Sequence, residues 1–136
     1  MKTNKFIYVV ALVAVGLSLV ACSVSASTAN FADAFMAKDS DGNERTTTYG
    51  QSDIFYAIVD LANAPSDTAV RAEWFAVDVE GADPNTPLNQ FTITSGSARI
   101  TFNAANAEGL LWPPGTFRVD LYLNDDLKTS LEFQVQ

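Results

Sequence analysis

Acids are the only reactive side chains this sequence holds in quantity. Sixteen Asp and Glu stand against eight Lys and Arg, with no histidine and one cysteine, Cys22. In KDSDGNE, residues 38–44, Asp39, Asp41 and Asn43 recur at alternate positions and offer hard oxygen ligands to calcium. A twelve-residue calcium loop needs Gly sixth and Glu twelfth; counted from Asp39, those places hold Glu44 and Gly50. A turn with Gly42 at positive φ accounts for the stretch more simply. Asp78, Glu80 and Asp83 crowd a second segment, and Asp125 and Asp126 a third. Paired carboxylates hydrolyse glycosides, but turns also collect solvated acids. The usual general base is absent, and zinc would have to be held by carboxylates alone. These residue types predict a protein that is not an enzyme and needs no cofactor. Asp39, Asp41 and Asn43 are the metal-ligand candidates. Trp112 in WPPG is the candidate ligand contact, its alternative role being to plug the open end of a β-fold.

The length argues for one domain, and 48% hydrophobic residues exclude disorder. The net charge of −8 repels phosphate backbones, so nucleic acid is not an expected partner. Lys2 and Lys5 precede an apolar run from Phe6 to Ala21, sixteen residues, short of the roughly 20 that span a bilayer core. A basic start, a short apolar stretch and then small residues is the layout of a signal peptide. No basic flank follows to stop a retained membrane helix.

The tetrapeptide LVAC, Leu19 to Cys22, resembles the lipobox of bacterial lipoproteins. The resemblance implies cleavage between Ala21 and Cys22, with Cys22 acylated as the new N-terminus and attached to a membrane through lipid. Removing residues 1–21 takes Lys2 and Lys5 and leaves a net charge of −10. Two or more acyl chains, at about 0.8 kcal/mol per buried methylene, hold such a protein stably. Ser23, where enterobacterial relatives use Asp for retention, implies export to the outer membrane in a Gram-negative cell. A competing cut after Ala26, in VSAS, suits an ordinary signal peptidase; it would discard Cys22 and release a soluble protein.

From Phe31 onward apolar residues alternate with polar ones, the signature of strands. Seven runs are expected: 31–38, 53–62, 69–79, 90–95, 98–104, 116–124 and 127–135, while AANAEGLL makes at most one helical turn. Phe117, Val119, Leu121 and Leu123 alternate with polar neighbours, and across the NDD turn Leu127, Leu131, Phe133 and Val135 do the same. Such a hairpin must bury its apolar face on a second layer. The expected fold is all-β, an immunoglobulin-like antiparallel β-sandwich of about seven strands.

Trp74, with Val70, Ala72 and Ala76 on its face, stands where immunoglobulin-like domains place their central Trp. The stretches FYAIVDLANAP and WPPGTFRVDLYLNDDLKTSLEFQV also resemble immunoglobulin-like domains of secreted bacterial lipoproteins. The cysteine pair of that fold is missing, and Phe117 replaces the corner tyrosine, so the core is expected to rest on packing alone. The chain divides into a leader (1–21), a polar tether (22–30) and a sandwich (31–136). The function this implies is a lipid-anchored envelope lipoprotein, a non-catalytic binding or accessory module for a protein or glycan partner. The alternatives are a protease-inhibitor-like or chaperone-like module, and a calcium-binding or carboxylate-only hydrolase domain. Asp67, residues 83–87 and residues 108–115 are the candidate contact loops.

Overall fold

The computed structural model describes residues 28–136, and these form two packed β-sheets with no helix. The strands are β1 (Asn30–Ala37), β2 (Thr48–Tyr49), β3 (Phe55–Ala62), β4 (Thr68–Val79), β5 (Thr86–Ser95), β6 (Ala98–Ala104), β7 (Gly115–Leu123) and β8 (Asp126–Val135). One sheet has the order β1-β3-β6 and the other β2-β8-β7-β4-β5. All pairings are antiparallel except β2 with β8, which is parallel. The expected sandwich is therefore present, with an eighth strand and one parallel edge.

Period-two alternation places the core. Val70, Ala72, Trp74 and Ala76 of β4 are buried, and so are Phe117, Val119, Leu121 and Leu123 of β7. Phe55, Ala57, Val59 and Leu61 of β3 meet them from the other sheet. Each large side chain so buried contributes about 1.5–3 kcal/mol of transfer free energy. Asn124 and Asp125 both have positive φ, at 46° and 69°, which makes the β7–β8 connection a two-residue turn whose twist matches the strands it joins.

Three features depart from the sequence expectation. Leu127, expected on the apolar face, is 54% exposed. The register slips between Leu121, opposite Thr129, and Tyr122, opposite Leu127, so the extra residue turns Leu127 to the outer side. The fourth long strand starts at Thr86, not at Gln90, and absorbs Thr86 and Pro87 from the expected 83–87 loop. Proline is tolerated there because β5 is an edge strand. Gly115, expected to end a loop, is the first residue of β7.

The core does not rest on packing alone. Tyr49, on the two-residue strand β2, is 1% exposed and donates its hydroxyl to the Ala37 carbonyl at 2.7 Å. Burial pushes its phenol well above the ordinary value of 10.0, so the group stays a donor. It ties the edge of one sheet to β1 of the other, the kind of link that Phe117 cannot supply.

The strand registers give the sandwich two distinct ends. Asn30 pairs with Ala62, Leu61 with Ala98, and Leu123 with Val70. The start of β1, the β3–β4 and β5–β6 turns and the β7–β8 hairpin thus share one end, the proximal end. Phe55 pairs with Ala104 and Val79 with Gly115, which places the 50–54, 80–85 and 105–114 segments at the distal end.

Candidate functional site

The oxygen-rich 38–44 segment is a cover for a second apolar cluster. Phe35 and Ala37 of β1 and Ile58 of β3 are buried on the outer side of the three-stranded sheet, where alternation alone would leave them wet. The loop folds back over them. A Cβ on Gly42 would lie 3.0 Å from the Phe35 ring and 3.3 Å from Ile58, and Gly42 has φ +76°. Both the turn and the close approach require glycine. The Asp39 carboxylate accepts the Asn43 and Glu44 amides at 3.0 and 2.8 Å, and Thr101 Oγ1 donates to the Ser40 carbonyl at 2.9 Å. Arg99 donates to both oxygens of Asp60 at 2.7 and 2.9 Å and reaches the Asp41 carbonyl at 3.2 Å. The Arg45 guanidinium lies 3.7 Å from the Phe35 ring centre. Asp39 thereby shapes the loop through its carboxylate, and Asp41 and Asn43 through their backbone groups. Among the described residues no group of three acids, histidines or cysteines is placed to hold a metal.

This clamp responds to acid. The Glu44 and Asn43 amides hold the Asp39 carboxyl below its ordinary 3.8, and Arg99 holds Asp60 below the same value. Below 3.8 the unfolded chain takes up these protons before the folded one does. The stability they contribute is therefore present above pH 3.8 and is lost as pH falls through the lower folded values. The thermal midpoint measured against pH should fall below about pH 4, and Asp60→Asn should remove part of that slope. A slope unchanged in Asp60→Asn contradicts the assignment.

The remaining acids separate. Asp125 pairs with Arg71 at 2.7 Å, and Asp126 opens β8. Asp78, Glu80 and Asp83 lie exposed around the β4–β5 turn. Arg118 and Ser130 hold Asp120, one of two buried polar residues among the described residues, at 2.8 and 2.7 Å on the outer side of the five-stranded sheet.

Trp112 faces inward. Its ring stacks on Phe55 with centroids 4.6 Å apart, and its indole N–H donates to the Asp53 carbonyl at 3.0 Å. Its amide donates to the Gln51 carbonyl at 2.8 Å, and Gln51 Nε2 returns a bond to the Trp112 carbonyl at 2.9 Å. These four contacts pin the 105–112 segment over the distal end of the core, and the ring is half-buried beneath it.

What this pinning presents falls within the 108–115 candidate loop, whose apolar pair and its neighbour Ile54 are not marked in the sequence as one surface. Leu110 and Leu111 are each 61% exposed and Ile54 is 41% exposed, and all three belong to segments that line one shallow distal depression with Trp112. The dipeptide Leu110-Leu111 was the available signal, hidden because AANAEGLL reads as a helical turn; the turn there is instead a β-turn, with Gly109 at φ +80° and the Leu110 amide on the Ala107 carbonyl at 2.9 Å. Cys22 and the LVAC tetrapeptide lie outside the described residues.

The sequence matches no family profile and no curated protein. Its fold has solved counterparts. An immunoglobulin-like protein from Pseudomonas aeruginosa aligns over 82% of this chain and all of its own, with TM-score 0.57 and 14% identity. The Pseudomonas fluorescens alkylpurine DNA glycosylase AlkC aligns over 81% of this chain with TM-score 0.53 and 14% identity. A β-glucosidase from Listeria innocua aligns over 82% with TM-score 0.50 and 12% identity. The chain spans 31% of the glycosylase chain and 17% of the glucosidase chain, so in both the counterpart is one part of a larger protein. At these identities the likeness concerns fold: residues 28–136 are an immunoglobulin-like β-sandwich.

Proposed function

We propose that the protein is a lipoprotein of the bacterial cell envelope, held to a membrane through lipid on Cys22, in which the sandwich is a non-catalytic binding or accessory module for a protein or glycan partner. One observation carries this reading. The chain leads back toward Cys22 from the proximal end, where Thr28 bonds to the Asn63 carbonyl at 3.1 Å, while Ile54, Leu110 and Leu111 stand exposed at the distal end. Strands of eight to ten residues set those ends about 30 Å apart. A tether at one end and a pinned apolar tip at the other is the polarity a surface-held module needs. The tip is held by Trp112, so contact with a partner does not first have to order the loop. Anchoring would be to the outer membrane in a Gram-negative cell, and the charge of −8 disfavours nucleic acid as a partner.

Cells producing the whole chain and fed an alkyne analogue of palmitate test the anchor. The natural chain should carry label and sediment with membranes, and Cys22→Ala should lose both. Label that persists in Cys22→Ala, or a natural chain that takes none, refutes it. The chaperone-like alternative is favoured by one specific feature, the unpaired edge of β5.

A further inference from the structure

The longest uncharged run in residues 31–136 is Pro84 to Ala98, and it contains the whole of β5. β5 is an outermost strand of the five-stranded sheet and, among the described residues, pairs only with β4. Natural edge strands are usually blunted by charge, shortness or covering. This one is ten residues long and carries no charge; its guards, Pro87 and the bulge at Leu88, both lie near its distal end and leave Gln90 to Ser95 in regular pairing. The Gln90 amide donates to the Asn89 side-chain oxygen at 2.8 Å, outside the β4 ladder. Backbone groups alternate in direction along a strand, so Thr92 and Thr94 turn theirs to the same open side.

The side chains add a second requirement. Residues opposite one another across a ladder share a face, so Phe91 and Ile93, opposite Ala72 and Val70, lie on the core side of the sheet. Yet Phe91 is 56% exposed, because the opposing sheet has three strands and ends at β6. A further strand beside β5 would cover it with alternate apolar residues. Charge defines the ends. Asp67 adjoins the proximal end, and Asp78, Glu80 and Asp83 surround the distal end, all exposed and in none of the described salt bridges. The chain's four arginines, by contrast, are each paired with a carboxylate.

We propose that the free edge of β5 accepts an extended segment of a partner protein by strand addition, the segment being neutral and alternately apolar in its middle and basic at its ends. A second copy of this chain fits poorly. Antiparallel pairing of β5 with itself would set the acids of one copy's distal end against Asp67 of the other, between molecules each carrying −8. This deepens the accessory-module reading by giving the partner a chemistry, and it stands whether or not Cys22 carries lipid.

The test uses the whole chain as the cell processes it, in detergent, and a blocked peptide of alternating Thr and Val with Lys at both ends. Binding should saturate below about 1 mM, with hydrogen-exchange protection appearing over residues 86–95. The same peptide ending in Glu should bind about ten-fold more weakly at low salt. Phe91→Lys, an exposed change that leaves the backbone intact, should abolish binding, as should Thr92→Pro if that variant keeps its β-sheet circular dichroism. Cys22→Ala should bind as the natural chain does, which separates this result from the fate of the anchor. Absence of saturable binding, or protection that appears over 105–112 instead, overturns the proposal. So does self-association that protects residues 86–95 without peptide, which would assign the edge to a second copy.

Discussion

Phe55→Ala should cost about 3–5 kcal/mol of folding free energy. That is a large share of the roughly 5–15 kcal/mol a domain of this size holds. Phe55 is 1% exposed, and its ring centroid lies 4.6 Å from Trp112, 4.7 Å from Phe133, 5.0 Å from Tyr49 and 5.5 Å from Phe117. Truncation leaves a cavity bordered by four rings, and rigid rings on separate segments close such a space poorly. The loss should also reach the surface. The stack on Phe55 is one of the contacts that seat Trp112, and Trp112 holds the segment bearing Leu110 and Leu111. Urea unfolding should show the lost stability, and exchange of the Leu110 amide should quicken beyond what the global loss explains. A cost under about 1 kcal/mol would mean the ring is not the hub the geometry makes it. Equal quickening in every strand would mean that the tip is not held through Phe55.

How far the sequence alone reaches follows from what alternation can encode. It marks one face of each long strand, so Trp74 with Val70, Ala72 and Ala76, and Phe117 through Leu123, were legible as core, and with them the sandwich. It carries nothing about β2, where two residues offer no period to read. The role of Tyr49 was hidden for that reason, since its partner, the Ala37 carbonyl, lies twelve positions away on another sheet. Leu127 misled because a bulge changes the count by one and inverts the faces beyond it. β5 was cut short because Pro87 and Asn89 resemble turn chemistry, and only the strand's place at an edge makes them compatible with pairing.

Candidate sites were less legible than the fold. The acids of KDSDGNE were visible as oxygen ligands, but their use depends on what the loop covers. Phe35 and Ile58 lie on the face of the three-stranded sheet away from the main core. Nothing local announces that a buried pair on that face needs a cover, so the covering role of the loop is not legible in KDSDGNE. The same holds at WPPG: an aromatic beside prolines looks displayed until its N–H is found on the Asp53 carbonyl, two positions before Phe55 in the chain. The residues left exposed by that arrangement, Ile54, Leu110 and Leu111, come from two segments that only the β3–β6 register brings to one end.

Gly115→Ala should be the other severe substitution, costing about 3–5 kcal/mol through combined strain and overpacking. Gly115 has φ +150°, a conformation side chains rarely adopt, at the first position of β7 opposite Val79. The β4–β7 register slips between Ala76 and Asp78, and that bulge pushes the β4 backbone toward Gly115. An added Cβ would collide with the Asp78 carbonyl oxygen and lie 2.9 Å from Val79 Cα, both backbone atoms that cannot rotate away. Gly81 separates the two causes: its φ is +85°, but a Cβ there meets nothing within 4 Å. Gly81→Ala should therefore show conformational strain alone, about 1–2 kcal/mol. The difference between the two variants, read from urea midpoints at equal m-values, measures the close approach together with the added strain of the φ of +150° at Gly115. If both cost the same, the bulge does not crowd Gly115, and the glycine of WPPG is needed only for its backbone angle. If the difference holds, Pro113 and Pro114 lead into a position where no side chain fits, and the entrance to β7 beneath the 105–112 segment is fixed by contact between two backbones.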